Sequence, residues 1–224
     1  MTVLVRQPRM RYSPAHPEGI RRVQVGCGPY HIRIDWWNTD LRHFPNIDEA
    51  MDATRPWPWP DRLEFVYAEH FLEHLDIDQA VDFLREAGLS LRVGGRIRLS
   101  TPSVEWVLKT HFSFQPADAP QHLQETLQIN RAFYGWGHRF LYSRGMLERL
   151  LQAVGYEDVR FFGYGESDTP GLSGLELHGT GRSVEGYPSQ WIIEGARGAT
   201  PIGTPADLRA LFERELLTHV RAGH

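Results

Sequence analysis

Three positions early in the chain carry residues suited to holding a nucleotide-like ligand. Gly26-Cys27-Gly28 follows a short apolar run, Arg21–Gly26, and residues without a Cβ let the backbone approach a ligand closely. A third glycine, which would complete the dinucleotide fingerprint, is lacking. Asp40 closes the segment Trp36-Trp37-Asn38-Thr39-Asp40. A carboxylate at the end of a strand can accept both hydroxyls of a ribose. Asp52 stands before Ala53 at the end of a third strand candidate, where it could accept from an adenine amino group. A tight turn and two solvated acids would account for each signal singly. Their arrival at three successive strand ends points to one ligand.

A second constellation, His70-Phe71-Leu72-Glu73-His74, matches the H-x-x-E-H pattern of inverted zinc peptidases. Two histidines four apart on a helix can face one zinc, with the glutamate as general base. Here, however, the motif follows the strand Leu63–Ala68 directly, at the mouth of a sheet. The sequence identifies no third ligand, and the chain is short for a metallopeptidase with a substrate lobe. The expectation is therefore no metal, with Glu73 and His74 satisfying backbone groups at a helix start.

The elements that must position these residues alternate. Strands are expected at Arg21–Gly26, the segment ending in Asp40, Glu49–Thr54, Leu63–Ala68, Arg96–Ser100, Asp158–Tyr164 and Gln190–Gly195. Ile77–Arg92 has the apolar spacing of an amphipathic helix, and Gly94-Gly95 reads as its terminator. Ser103–Phe112 and Pro120–Phe133 read as helices, as does Arg144–Val154 between an N-capping Ser143 and a closing Gly155. Residues 1–20 read as a Pro-rich leader, and 198–224 as a linker with a terminal helix over Ala206–Arg221. Such alternation predicts an α/β fold, a largely parallel sheet covered by helices on both faces. Ligands in such sheets bind beyond the carboxyl ends of the strands.

Composition narrows the function. The 224 residues are 41% hydrophobic and 23% charged, enough chain for a sizeable core. A net charge of −4 argues against nucleic acid as the main partner. No apolar run is long enough to span a membrane. Cys27 is the only cysteine, which excludes an intramolecular disulfide and makes a reducing cytoplasm the default. All basic residues but one, Lys109, are arginine.

The segments VQVGCGP, WWNTDL, MDAT, PWPWPDRLEFVYAEHFLEHL, LRVGGRIRLSTPS and FYGWGHRFLYS together resemble the small class I S-adenosylmethionine-dependent methyltransferases. The likeness is to a bacterial branch with an EHxLEH and a WGHRFLY motif. It runs from Arg21 to Arg197 and is densest over Leu63–Pro102. It implies a Rossmann-like, mostly parallel seven-stranded sheet with a helical insertion, residues 103–142, on the substrate side. It further implies that Gly26, Cys27 and Gly28 lie under the methionine part of the cofactor. Asp40 would take the ribose hydroxyls, Asp52 the adenine amino group and Ala53 a backbone contact to the ring. Ala68, Glu69 and His70 would line the opening where the methyl group meets the acceptor. Two features depart from the family: Gln24 stands where many relatives are acidic, and the first crossover is too short for more than one helical turn.

A methyl transfer to a hydroxyl or ammonium needs a group to take a proton. The candidates are His70, His138 and Tyr142. His138 has an alternative role, tying the insertion to the sheet through backbone carbonyls. His111, Phe112, Phe114, Tyr134 and Trp136 would roof the site or form the insertion's packing face. The expected activity is methyl transfer from S-adenosylmethionine, with S-adenosylhomocysteine as product, to a small-molecule acceptor such as a sugar, glycan precursor or secondary metabolite. The alternative is an inactive cofactor-binding partner subunit of the same fold. No nucleic-acid partner is expected, and a homodimer is compatible with this organisation.

Overall fold

A computed structural model of the chain describes residues 19–114, 118–179, 181–203, 210 and 214. The expected leader and terminal helix lie almost wholly outside the described residues. The strands are β1 Arg22–Val25, β2 Trp37–Asp40, β3 Glu49–Ala50, β4 Leu63–Glu69, β5 Leu91–Pro102, β6 Tyr156–Phe162, the hairpin β7 Ser183–Val184 and β8 Tyr187–Pro188, and β9 Gln190–Arg197. The helices are α1 Ile77–Ser90, α2 Val104–His111, α3 Ala119–Tyr134 and α4 Arg144–Val154. Seven strands form one sheet in the order β3-β2-β1-β4-β5-β9-β6. Within it β1 to β5 run parallel, and β9 lies antiparallel between β5 and β6. The chain moves outward from β1 to β3, then returns to lay β4 on the other side of β1. The carboxyl ends of β1 and β4 therefore flank the switch point, where open α/β sheets bind ligands.

Period-two alternation divides the strands between two cores. Val66 and Ala68 of β4, Ile97 and Leu99 of β5 and Ile193 of β9 join Phe83 and Leu84 of α1 and Leu147 and Leu151 of α4. Phe65 and Tyr67 turn the other way, onto Trp36, Leu172 and Leu175. On that second face Arg98 is fully buried, its guanidinium 2.7 Å and 2.9 Å from the two carboxylate oxygens of Glu176 and 2.5 Å from Glu194. This pairing clamps the irregular segment 163–179 onto the sheet. Glu176 also accepts the Gly165 amide at 3.0 Å, and Tyr164 donates to its carbonyl.

Local signals fix the helices that frame the site. Asp76 caps α1 by accepting the Gln79 amide while the Gln79 side chain accepts from the Asp76 amide. Ser143 caps α4, and Gly155 at φ 108° closes it. Two expectations are corrected. Helix α1 ends at Ser90, and Gly94-Gly95 lies inside β5. Leu63 pairs with Leu91 but Phe65 with Arg96, so residues 92–95 bulge out, with Gly94 at φ 78°. The third strand is only Glu49–Ala50, because Asp52 already starts a turn that the Arg55 amide closes. The first crossover contains no helix, in keeping with its length.

Candidate functional site

Gly26 and Gly28 both sit at positive φ, 65° and 58°. A Cβ on Gly26 would come 2.6 Å from the Phe71 ring, whereas one on Gly28 would meet nothing within 4 Å. Packing beneath the loop thus demands the first glycine, and the second borders open space. The Cys27 amide donates to the Thr39 carbonyl, pinning the loop to β2. Buried Asp40 accepts the Gly28 amide at 3.0 Å through one oxygen and the Arg42 amide at 2.9 Å through the other. Lone pairs on both oxygens remain for a ligand. Burial, helped by the Asp40 charge, pushes the Cys27 thiol up to about 12, so it stays protonated and is no nucleophile. Beyond Asp40, Leu41 exposes 71% of its surface at the strand end. Asp52 accepts from the amide and hydroxyl of Thr54 through one oxygen, and Ala53 is buried with its carbonyl bound to the Trp57 indole.

At the end of β4 the carboxylate of Glu69 accepts the Leu177 and His178 amides at 2.9 Å each. Burial opposes its charge, but the His178 ring 3.3 Å away and these amides outweigh that, and its pKa falls below the ordinary value. Glu69 therefore anchors the segment 163–179 at the mouth of the sheet. Next to it His70, at φ 49°, binds Glu73 through Nδ1 at 2.9 Å and the Gln190 side-chain oxygen through Nε2 at 3.0 Å. Burial favours the neutral ring, yet the Glu73 bond and charge prevail and raise the His70 pKa. The His178 ring lies 4.2 Å from that of His31 and 5.1 Å from that of His70. Burial and the neighbouring His178 lower the His31 pKa.

The insertion leaves and rejoins the sheet at one place, where Ser103 and Tyr142 form a bridge. It has a small core of its own around Val107, Ala132 and Leu141. Its returning end docks through the Arg139 and Phe140 amides onto the Glu73 carbonyl. At the seam with the hairpin, the Lys109 ammonium pairs with Glu185 at 2.5 Å. The ring of His138 donates through Nδ1 to the Ala132 carbonyl at 2.8 Å and packs 5.2 Å from His74. Tyr142 is fully buried in the main core, and burial raises its pKa. Phe114, Tyr134 and Trp136 are largely exposed and join none of the cores.

Of the residues singled out from sequence, the structure brings Asp40, at the end of β2, against the Gly26-Cys27-Gly28 loop through the Gly28 amide. It places Ala68, Glu69 and His70 across the switch point, and His138 and Tyr142 at the insertion. Sequence reasoning missed His31, His178 and Leu41. His178 had no detectable signal, because it reaches the site through a contact with Glu69 more than a hundred positions away. Leu41 could have been found as the apolar residue following the strand-end acid.

No family model and no curated protein matches the chain. Solved structures resemble it at low identity. A SAM-dependent methyltransferase from Archaeoglobus fulgidus is 16% identical over 80% of this chain and 87% of its own, with a TM-score of 0.47. An S-adenosylmethionine-dependent methyltransferase from Mesorhizobium loti is 16% identical over 81% of this chain and 94% of its own, at 0.49. A possible histamine N-methyltransferase from Thermotoga maritima is 16% identical over 79% and 81%, at 0.46. The sheet order, with a switch point between β1 and β4 and one antiparallel strand, is that of a Rossmann-like α/β fold. Among the described residues, no helix is long and apolar enough to cross a membrane.

Proposed function

We propose that this protein transfers a methyl group from S-adenosylmethionine to a small-molecule acceptor. The observation that carries the reading is Asp40, a buried carboxylate at the end of β2 whose oxygen holds the Gly28 amide at 3.0 Å. It sits beside a glycine at positive φ whose missing Cβ leaves open space. That combination fits the cofactor: Gly28 would admit its methionine part and Asp40 would accept its ribose hydroxyls. Exposed Leu41 would offer an apolar face to the adenine, and Asp52 and Ala53 would contact it. When bound, the cofactor supplies a methyl group activated on a sulfonium, so orientation of the acceptor provides most of the acceleration.

This chain's own residues do the rest. Glu69 and His70 form the wall of the opening and are held rigid by the bonds described above. His31, whose ring lies 4.2 Å from that of His178, takes the proton that a hydroxyl or ammonium acceptor loses. Both ring nitrogens of His70 are engaged, which makes it a positioning group, and His138 and Tyr142 stay with the insertion and the core.

Calorimetry with S-adenosylhomocysteine should give saturable one-to-one binding, and Asp40→Ala should weaken it by about 1–3 kcal/mol. No heat at millimolar ligand would remove the cofactor from the reading. With any acceptor that supports turnover, His31→Ala should lose about 10²-fold or more in kcat at unchanged product affinity. An unchanged kcat would take the proton elsewhere.

A further inference from the structure

The histidine-glutamate motif after β4 is only partly used by the site above. His70 points its ring into a bridge between Glu73 and Gln190, while His74 turns toward the insertion. There it meets His138, and ligand atoms of Glu73, His74 and His138 all come within 4.8 Å of one another. The third ligand that the sequence does not identify is thus delivered by the insertion, from the turn Gly135–Gly137 onward.

The hydrogen bonds around the two rings set their chemistry. His74 approaches the Gly137 carbonyl through Nδ1 at 3.3 Å, and His138 approaches the Ala132 carbonyl through Nδ1 at 2.8 Å. A carbonyl can only accept, so in the neutral form of each ring Nδ1 carries the proton and Nε2 keeps its lone pair. Metal-binding histidines characteristically have this outer arrangement, one nitrogen donating to an oxygen and the other left as the ligand. Glu73 is held in the same manner. Its fully buried carboxylate accepts from His70 at 2.9 Å and from the Thr101 hydroxyl at 3.0 Å, and it retains lone pairs for a cation. The frame is fixed as well, because the Glu73 carbonyl receives the Arg139 and Phe140 amides at 2.7 Å and 3.2 Å.

We infer that Glu73, His74 and His138 form a binding site for a first-row divalent cation of the zinc class. Two imidazoles and one carboxylate make a donor set that suits zinc, and three protein ligands leave a fourth position open. The two histidines are partly exposed and Glu73 is not, so the open position falls on the solvent side, available to water or to an oxygen or nitrogen donor. The cation would join the loop that follows β4 to the returning end of the insertion. His70, through Glu73, would couple it to the wall of the acceptor opening.

The test uses the full chain without a histidine tag, stripped with a chelator and titrated with cobalt(II) chloride and then zinc chloride. One equivalent of cobalt should bind with visible absorption of four- or five-coordinate strength, and zinc should displace it. His74→Ala and His138→Ala, both at partly exposed positions, should each weaken zinc binding at least as much as loss of an outer-shell partner, about 10–100-fold, with far-ultraviolet circular dichroism unchanged. His122→Ala, on the exposed face of α3, should bind like the wild type. Absence of saturable binding at tens of micromolar zinc would overturn the site. So would binding that survives both substitutions, or that is abolished by His178→Ala, which would move it to the histidines at the mouth. S-adenosylhomocysteine affinity should be unchanged in His74→Ala and His138→Ala, so failure of this site and failure of cofactor binding are told apart.

Discussion

At Glu69 the folded state depends on one side chain's charge. Its pKa is lowered despite burial because two amides bind the ionised form and the His178 ring lies 3.3 Å from it. A group with a folded pKa below its unfolded one contributes stability above the unfolded value, ~4.3 for glutamate. That contribution is lost as the pH falls through the folded value. Glu69→Gln should therefore cost about 1–3 kcal/mol at pH 7 in urea unfolding, and the gap from wild type should narrow as both are titrated below ~4. A gap independent of pH would mean that the amide bonds need only an oxygen, not a charge. At this scale the sequence was legible where polar residues follow a strand end: the structure sets Asp40 at the end of β2, against the Gly28 amide. It was silent on His31 and His178, whose pairing depends on where the segment 163–179 is laid. It also could not distinguish the two engagements of the His70–His74 motif, since only the tertiary contact with Gly137 turns His74 away from His70.

Single glycines separate packing from ligand access at the level of the element. In the β1 loop, Gly26→Ala must strain a positive φ and push on Phe71 at 2.6 Å. Gly28→Ala bears only the conformational strain, about 1–2 kcal/mol. The first variant should melt several degrees lower than the second, as followed by differential scanning calorimetry. Gly28→Ala, placing a methyl in the open space, should instead show the larger loss of S-adenosylhomocysteine affinity. The reverse pattern would put the cofactor on the other side of the loop. Helix α4 was readable to its end residues because Ser143 and Gly155 act on their own neighbours. Gly94-Gly95 was misread because a pair of glycines serves a helix terminus and a strand bulge equally. What decides between them is pairing with Leu63 and Phe65, which no local pattern contains.

For the molecule as a whole, alternation of strands and helices was enough to foresee the parallel sheet. The antiparallel insertion of β9 between β5 and β6 was beyond it, because strand order is settled by long-range pairing. That insertion brings Glu194 beside Arg98 and so creates the buried charge cluster with Glu176. Arg98→Met would leave Glu176 buried without its cation, while Glu194 keeps Arg96 at 3.4 Å. The expected loss is about 3–5 kcal/mol in urea unfolding, partly recovered when E176Q is added. A loss under ~1 kcal/mol would mean that water reaches the cluster. The two walls of the opening thus differ in how freely they can be rebuilt. The insertion stands on a closed stem at Ser103 and Tyr142 with its own small core, so foreign sequence could be grafted there with the sheet left intact. The segment 163–179 is both a wall and the cover of the sheet's second face, so any new acceptor preference selected there would be inherited together with a change in thermal tolerance.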